Sequence, residues 1–209
     1  MRIAIIGTGK VGLALARGLQ GKGHQITLGA RDPQRAAKQA AETGARVVRP
    51  EESAAGAELV VLALPWATAE AAVKSLGDLS GKIVIDCMNP LGMIDGKLGL
   101  TVGYHRSGAE MVAAWAPGAR VVKTLNQVGA ELMADNTGLP HRPVMFMAGD
   151  DATAKAAVTT LLTDLGFEPL DAGELEKARI LEPFALVWIN QAILRGKGRN
   201  WAFAAVAEA

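Results

Sequence analysis

Short apolar runs alternate with longer segments of helical character along most of the chain. Six runs rich in β-branched and other apolar residues are predicted as strands: RIAIIG, HQITLGA, ARVV, ELVVLALP, KIVIDCMNP and ARVVKTLN. Strands that are apolar on both faces and separated by helices are typical of βαβ units in a parallel sheet. The pattern therefore predicts an α/β fold with a doubly wound parallel sheet.

The pattern weakens after Asn126 and then resumes. RPVMFMAG and FEPLDAG are predicted as strands, with a helix between them over about Asp151 to Leu165. A largely apolar helical region follows from Glu174, and Pro183 is expected to start or kink a helix there. We therefore predict two units, a larger domain at 1–138 and a small C-terminal α/β lobe at 139–209.

The first strand runs directly into a glycine motif. Gly7, Gly9 and Gly12 form GxGxxG at the junction between a strand that begins at residue 2 and a helix that begins near Lys10. In this context the first glycine allows a tight turn, the second lets the backbone approach a pyrophosphate, and the third lets the helix pack close to the strand. The motif predicts a Rossmann-type dinucleotide site, with a ligand-free glycine turn as the weaker alternative.

The segment LGARDPQRA, after the second strand, bears on the choice between NAD and NADP. Asp32 is near the position of an acid that binds a ribose hydroxyl, whereas Arg31 and Arg35 suit a 2′-phosphate. Asp32 followed by Pro33 is also a favourable helix start, which explains the acid without a ligand. We favour NADP, and solvated surface arginines remain the alternative.

The segments ALPWA, CMNPL and KTLNQ end the fourth, fifth and sixth strands, where open α/β sheets bind ligands. Trp66, Asn89 and Asn126 offer a flat apolar face and amide groups suited to a nicotinamide, although each also fits a turn or packing role. Lys123 is the clearest candidate for polarising a carbonyl, and its alternatives are to point to solvent or to pair with a carboxylate. Lys123 and Asn126 are thus the candidate catalytic side chains.

Composition narrows the classes of function. The 209 residues are 50% hydrophobic and carry a formal net charge of +1, with no run of like charges, so nucleic-acid and membrane partners are not expected. The single cysteine and three scattered histidines have no metal-ligand spacing. No signal peptide or long apolar run is found, and we expect a cytoplasmic protein with a small-molecule partner.

Several segments together resemble the deazaflavin (coenzyme F420)-dependent NADP reductases and their bacterial relatives. They are IAIIGTGKVG, LALPW, IDCMNPL, RVVKTLNQV and LGFEPLDAGELEKARILEP, and the cytosolic domain of six-transmembrane metalloreductases is similar. The resemblance implies hydride transfer between NADPH and a deazaflavin, or a flavin such as FMN or FAD, lying against the C-terminal lobe. The cofactor-binding residues that it implies are Gly7, Thr8, Gly9, Lys10, Val11 and Gly12 for pyrophosphate, Arg31 and Arg35 for the 2′-phosphate, and Leu64, Pro65, Trp66, Asn89 and Pro90 around the nicotinamide.

Two other functions stay open: an NADP-dependent hydroxyacid dehydrogenase or imine reductase that needs Lys123, and a non-catalytic NADPH-binding sensor.

The apolar segment RILEPFALVWINQAIL either completes the core of the C-terminal lobe or forms a dimer interface. We expect a homodimer with Trp188 and Trp201 as anchors.

Overall fold

The computed structural model describes residues 1–208 and contains ten strands and eight α-helices in that range. The strands are β1 Arg2–Ile6, β2 Gln25–Gly29, β3 Arg46–Val48, β4 Leu59–Leu62, β5 Ile83–Asp86, β6 Leu91–Ile94, β7 Lys97–Leu100, β8 Arg120–Lys123, β9 Val144–Gly149 and β10 Glu168–Asp171. The helices are α1 Lys10–Gly18, α2 Pro33–Ala40, α3 Pro50–Ala55, α4 Ala69–Lys74, α5 Gly108–Trp115, α6 Ala130–Ala134, α7 Ala152–Asp164 and α8 Ala178–Ile189, the last continued by a π-helical turn over Asn190–Leu194.

Eight strands form one sheet in the order β10-β9-β8-β5-β4-β1-β2-β3. Every neighbouring pair is parallel except β8 and β9, which are antiparallel. Along β1, Ile3 and Ile5 pack into one core and Ala4 and Ile6 into the other, because successive side chains of a strand point to opposite faces. The first core includes residues of α1, α6 and α7, and the second those of α3, α4 and α5. The predicted doubly wound Rossmann-type fold is confirmed.

The strands β6 and β7 form a separate hairpin that the sequence analysis missed. Its two-residue turn is Asp95–Gly96, and both residues have positive φ angles of 49° and 75°. Asp-Gly is the dipeptide preferred for this kind of turn, so the signal was present in the sequence. Leu91 and Leu98 of the hairpin pack with Trp188, Ile189 and Ala192 near the end of α8.

The strands of the predicted C-terminal lobe, β9 and β10, extend the same sheet at its β8 edge. The division between residues 138 and 139 stays a prediction.

Pro183 lies inside α8, which begins five residues earlier, and so it does not start the helix. Trp188 is only 3% exposed and stacks on Trp201 within the chain, so it is not available as an exposed anchor of a dimer. Within residues 1–208, no helix has the length and apolar character needed to cross a membrane.

Candidate functional site

The glycine loop between β1 and α1 has the close packing that its motif predicts. Gly7 has a φ angle of 115°, and a Cβ atom there would collide with the carbonyl oxygen of Ala63. A Cβ atom on Gly12 would collide with the carbonyl oxygen of Gly7. Gly9, in contrast, would place a Cβ atom in open space with nothing within 4 Å. The first and third glycines are therefore needed for packing, and the second leaves room for a ligand.

The amino end of α1 is open to an anion. Gly9 is the N-cap, and no side chain within residues 1–208 caps this end of the helix. The backbone N–H groups of Lys10, Val11 and Gly12 therefore lack intrahelical partners, and the helix dipole favours negative charge beside them. A pyrophosphate fits this arrangement.

A cavity of about 640 Å³ lies over the carboxyl ends of β1, β2 and β4. Among the predicted cofactor residues it is lined by Gly7, Thr8, Gly9, Arg31, Leu64 and Pro65. Its other walls include Pro50, Thr68, Ala71, Ala72 and Ser75. Lys10 instead lines a second cavity of about 530 Å³ between α1 and α6, which shares Thr8 and Gly9 with the first. The glycine loop thus separates two spaces.

Asp32 serves as the N-cap of α2, and its carboxylate accepts a hydrogen bond of 3.0 Å from the backbone N–H of Arg35. Pro33 occupies the first turn, as the helix-start interpretation of this segment predicts. The side chains of Arg31 and Arg35 are exposed, and neither forms an ion pair within residues 1–208. The Asp32 carboxylate is therefore bonded to the backbone, whereas the Arg31 side chain lines the cavity without an ion-pair partner and that of Arg35 is exposed in the first turn of α2.

The loop after β4 places Pro65 at the surface and Trp66 half-buried. The ring of Trp66 lies 5.4 Å from that of Trp115, centroid to centroid, and close to Gly108 at the start of α5. Its contacts within the chain are thus on the side of α5, and a contact with nicotinamide stays a prediction.

Asn89 and Asn126 come together from the ends of β5 and β8. The Asn126 side-chain amide donates to the Asn89 side-chain oxygen at 3.1 Å, and the Asn89 amide donates to the backbone oxygen of Asn126 at 2.9 Å. Leu125, just before Asn126, is fully buried with a φ angle of 58°, a conformation that is uncommon for a leucine. Such strain is concentrated at functional sites. Pro90 is buried next to this pair.

Lys123 has no exposed surface, and its ammonium group lies 3.0 Å from Asp86 Oδ2 and 3.0 Å from Glu182 Oε1. It also donates to the backbone oxygen of Met88. Burial by itself lowers the pKa of Lys123, but the two carboxylates outweigh burial and hold the pKa above its ordinary value. Of the alternatives open for Lys123, the structure has the pairing with carboxylates. The raised pKa and the two carboxylates favour the charged form of the lysine, and direct catalysis by it stays a prediction.

Sequence reasoning missed Asp86 and Glu182, the two partners of Lys123. Asp86 and Lys123 are directly opposite each other in the register of β5 and β8, and each ends an otherwise apolar strand, which was the available signal. Glu182 gave no such signal, because its contact depends on how α8 crosses the end of the sheet.

Cys87, the only cysteine, follows Asp86 at the end of β5. It is 8% exposed, and its thiol donates to the backbone oxygen of Leu62 at 2.9 Å. Burial, with a contribution from the neighbouring charge of Asp86, raises the pKa of the thiol to about 12. The thiol is therefore protonated and shielded in the folded protein.

Comparison with known proteins gives consistent matches. Residues 2–90 match a family described as NADP oxidoreductase, coenzyme F420-dependent. The F420-dependent NADP reductase of Methanothermobacter marburgensis is 30% identical over 208 residues, which cover 91% of this chain and 92% of that protein. The crystal structure of a candidate F420-dependent NADP reductase from Arthrobacter sp. FB24 superposes with a TM-score of 0.90 at 36% identity, covering 99% of this chain and 100% of that one.

The chain is also similar to the metalloreductase STEAP3 of Rattus norvegicus. The two are 31% identical over 186 residues, which cover 88% of this chain. The match covers 36% of the rat protein, so this chain spans about a third of its length.

Proposed function

Because the chain belongs to the coenzyme F420-dependent NADP oxidoreductase family, we propose that it transfers a hydride between NADPH and a deazaflavin or flavin. The observation that carries this proposal is the cavity over the ends of β1, β2 and β4, with an uncapped helix end at one side and a free arginine at the other. Both features suit an extended cofactor that carries a pyrophosphate and a separate phosphate group.

The adenosine half of NADPH would lie along Pro50, Thr68 and Ala72, which line the same cavity as Arg31. Arg31 and Arg35 would hold the 2′-phosphate, because a guanidinium donates two parallel hydrogen bonds to phosphate oxygens. The nicotinamide would lie toward Leu64, Pro65 and the amides of Asn89 and Asn126.

The reaction couples NADPH, an oxidised acceptor and one proton to NADP⁺ and the reduced acceptor, and the two rings themselves supply the hydride chemistry. The protein then has to align the rings and exclude water. Lys123 supports this division of roles, because an ammonium group held by two carboxylates and a carbonyl is no proton acceptor. The acceptor would lie between the cofactor loops and the C-terminal region.

The test is NADPH oxidation by the purified protein with the deazaflavin coenzyme, FMN and FAD in parallel, and with NADH as the control donor. Turnover with the deazaflavin, faster with NADPH than with NADH, is the expected result. Turnover with a flavin alone identifies a flavin reductase. Tight NADPH binding without turnover on any of the three contradicts the proposal and favours a sensor, or a dehydrogenase with another substrate.

A further inference from the structure

Glu182 is a buried acid whose every bond leads to another element. Glu182 lies on α8 and is 1% exposed. The residues that Glu182 contacts are far from it in the sequence. One carboxylate oxygen, Oε2, accepts a hydrogen bond of 2.9 Å from the backbone N–H of Gly108. The other, Oε1, accepts one of 3.2 Å from Ala109 and lies 3.0 Å from the Lys123 ammonium group.

These contacts join three elements at one point. Gly108 and Ala109 are the first residues of α5, where unpaired N–H groups and the helix dipole favour a carboxylate. Lys123 ends β8 and is bonded in turn to Asp86 at the end of β5. The two acids and one lysine leave an excess negative charge, and the amino end of α5 compensates it.

The residue beside Glu182 contacts the candidate site directly. The backbone oxygen of Leu181 accepts a hydrogen bond of 3.2 Å from the side-chain amide of Asn126, the amide that also holds Asn89. Gly108 is close to the site as well, because a Cβ atom there would lie 3.1 Å from Glu182 Oε1 and 3.1 Å from the Trp66 ring. A shift of Glu182 would therefore reach both the asparagine pair and the loop after β4.

We propose that Glu182 is a positioning residue, which fixes α8 against the ends of β5 and β8 and so sets how the acceptor is held relative to the nicotinamide. This inference rests on the proposed function, in which the acceptor lies beside the C-terminal region. Glu182 itself is 1% exposed and bonded only to protein groups, so it would act through α8 and not by touching either ring.

Only a carboxylate satisfies the three donors around Glu182. A glutamine has one oxygen and one NH₂ group, so it must turn a donor toward either Gly108 N–H or the Lys123 ammonium group. Glu182→Gln still leaves Lys123 paired with Asp86, so it creates no unpaired buried charge. The variant is thus expected to fold while losing one of the contacts that hold α8.

The experiment compares wild type, Glu182→Gln and the control Glu176→Gln, which makes the same chemical change at an exposed site. For Glu182→Gln we expect kcat/KM for the acceptor to fall at least tenfold, with the Kd for NADPH within twofold of wild type. Hydrogen exchange should accelerate in 107–110 and 178–189 and stay unchanged in β1 and α1. Glu176→Gln should match wild type in all three measurements.

Gly108→Ala is a second variant that keeps the charge of Glu182 but crowds Glu182 and Trp66. We expect kcat/KM for the acceptor to fall by less than in Glu182→Gln, again with the Kd for NADPH unchanged. Equal losses in NADPH affinity and acceptor turnover, or wild-type values in Glu182→Gln, would overturn the positioning role. The exchange measurement needs no turnover. If the wild type reduces no acceptor, the proposed function fails, while unchanged exchange in 178–189 refutes the attachment of α8 separately.

Discussion

The side chains of Arg31 and Arg35 have no ion-pair partner within residues 1–208, while Asp32 between them caps a helix through the backbone N–H of Arg35. Arg35 lies in the first turn of α2, where the positive helix end disfavours a cation. An anion beside the two guanidinium groups would offset that cost. The local chemistry of this segment therefore favours a phosphate over a ribose hydroxyl.

The double variant Arg31→Ala with Arg35→Ala should weaken NADPH binding about ten- to a hundredfold and leave NADH binding nearly unchanged. The estimate corresponds to a net loss of about 1.5–3 kcal/mol, the range for one charge-assisted hydrogen bond, at about 1.4 kcal/mol per tenfold change in affinity. Titration of both nucleotides by fluorescence checks it. Arg46→Ala is the control, since Arg46 is the first residue of β3, away from the carboxyl strand ends that line the cavity, and it pairs with Glu52 of α3. Equal effects on the two nucleotides would contradict the phosphate interpretation.

Gly9 and Gly12 should respond differently to the same substitution. Gly9→Ala should change the free energy of unfolding by less than about 0.5 kcal/mol but weaken NADPH binding, because its φ angle of −79° suits alanine and its Cβ atom would enter ligand space. Gly12→Ala should weaken NADPH binding and also lower the free energy of unfolding, because its Cβ atom collides with the backbone oxygen of Gly7. Urea unfolding and NADPH titration of both variants separate the two roles. Unchanged NADPH affinity in Gly9→Ala would argue against a pyrophosphate there.

At the scale of elements, α8 is attached to the start of α5 by a second contact, an ion pair between Arg179 and Glu110. Arg179 donates to both carboxylate oxygens of Glu110, and Glu110 also forms a capping box with Ser107. The hydrogen bond from Arg179, followed by that from Ser107, lowers the pKa of Glu110 to about 2 despite partial burial. The start of α5 thus binds α8 through both Glu110 and Glu182.

This lowered pKa predicts a specific acid sensitivity. A carboxylate with a depressed pKa stabilises the fold above its ordinary pKa, and the contribution is lost as the pH falls from about 4.5 to about 2. In Arg179→Gln the unfolding free energy should therefore fall less over that range than in wild type, as measured by urea unfolding at several pH values. Lys74→Met, which removes the exposed pair of Lys74 with Glu70, should retain the wild-type slope. A wild-type slope in Arg179→Gln would assign the acid sensitivity to other groups.

The elements could be predicted where local patterns determine them, and the site only in part. The βαβ strands, the cap at Asp32 and the capping box at Ser107 follow from periodicity and short motifs. The meeting of Asn89 and Asn126 follows from strand ends that share one edge. The reversal of β9 and the contact of Glu182 with Lys123 depend on long-range packing, which has no periodic signature.

At the scale of the whole molecule, α8 and the turn that follows it carry an apolar stripe on the surface. Ile180, Val187 and Leu194 recur every seven residues and are between 50% and 61% exposed. Met93 and Ile94 at the tip of the hairpin are exposed too. Surface of this kind favours self-association, although Trp188 is committed to the interior.

We therefore expect a homodimer at micromolar concentration that uses this stripe. The substitution Val187→Asp should convert it to a monomer, because a charge would enter the contact. Sedimentation or light scattering measures the mass, and Val206→Asp, at an exposed site in the C-terminal tail, should leave the dimer intact. A monomeric mass for the wild type would refute the expectation.

The rate at which the single thiol, Cys87, is alkylated also reports how often the sheet opens near the end of β5. Because it is buried and its pKa is near 12, an alkylating reagent can modify it only when the end of β5 separates from its surroundings. The rate of labelling at neutral pH thus counts these rare excursions without any engineered probe. A bound nucleotide that holds the neighbouring strand ends together would lower the labelling rate of Cys87. The decrease would report how much of the protein has nucleotide bound, even in an inactive variant.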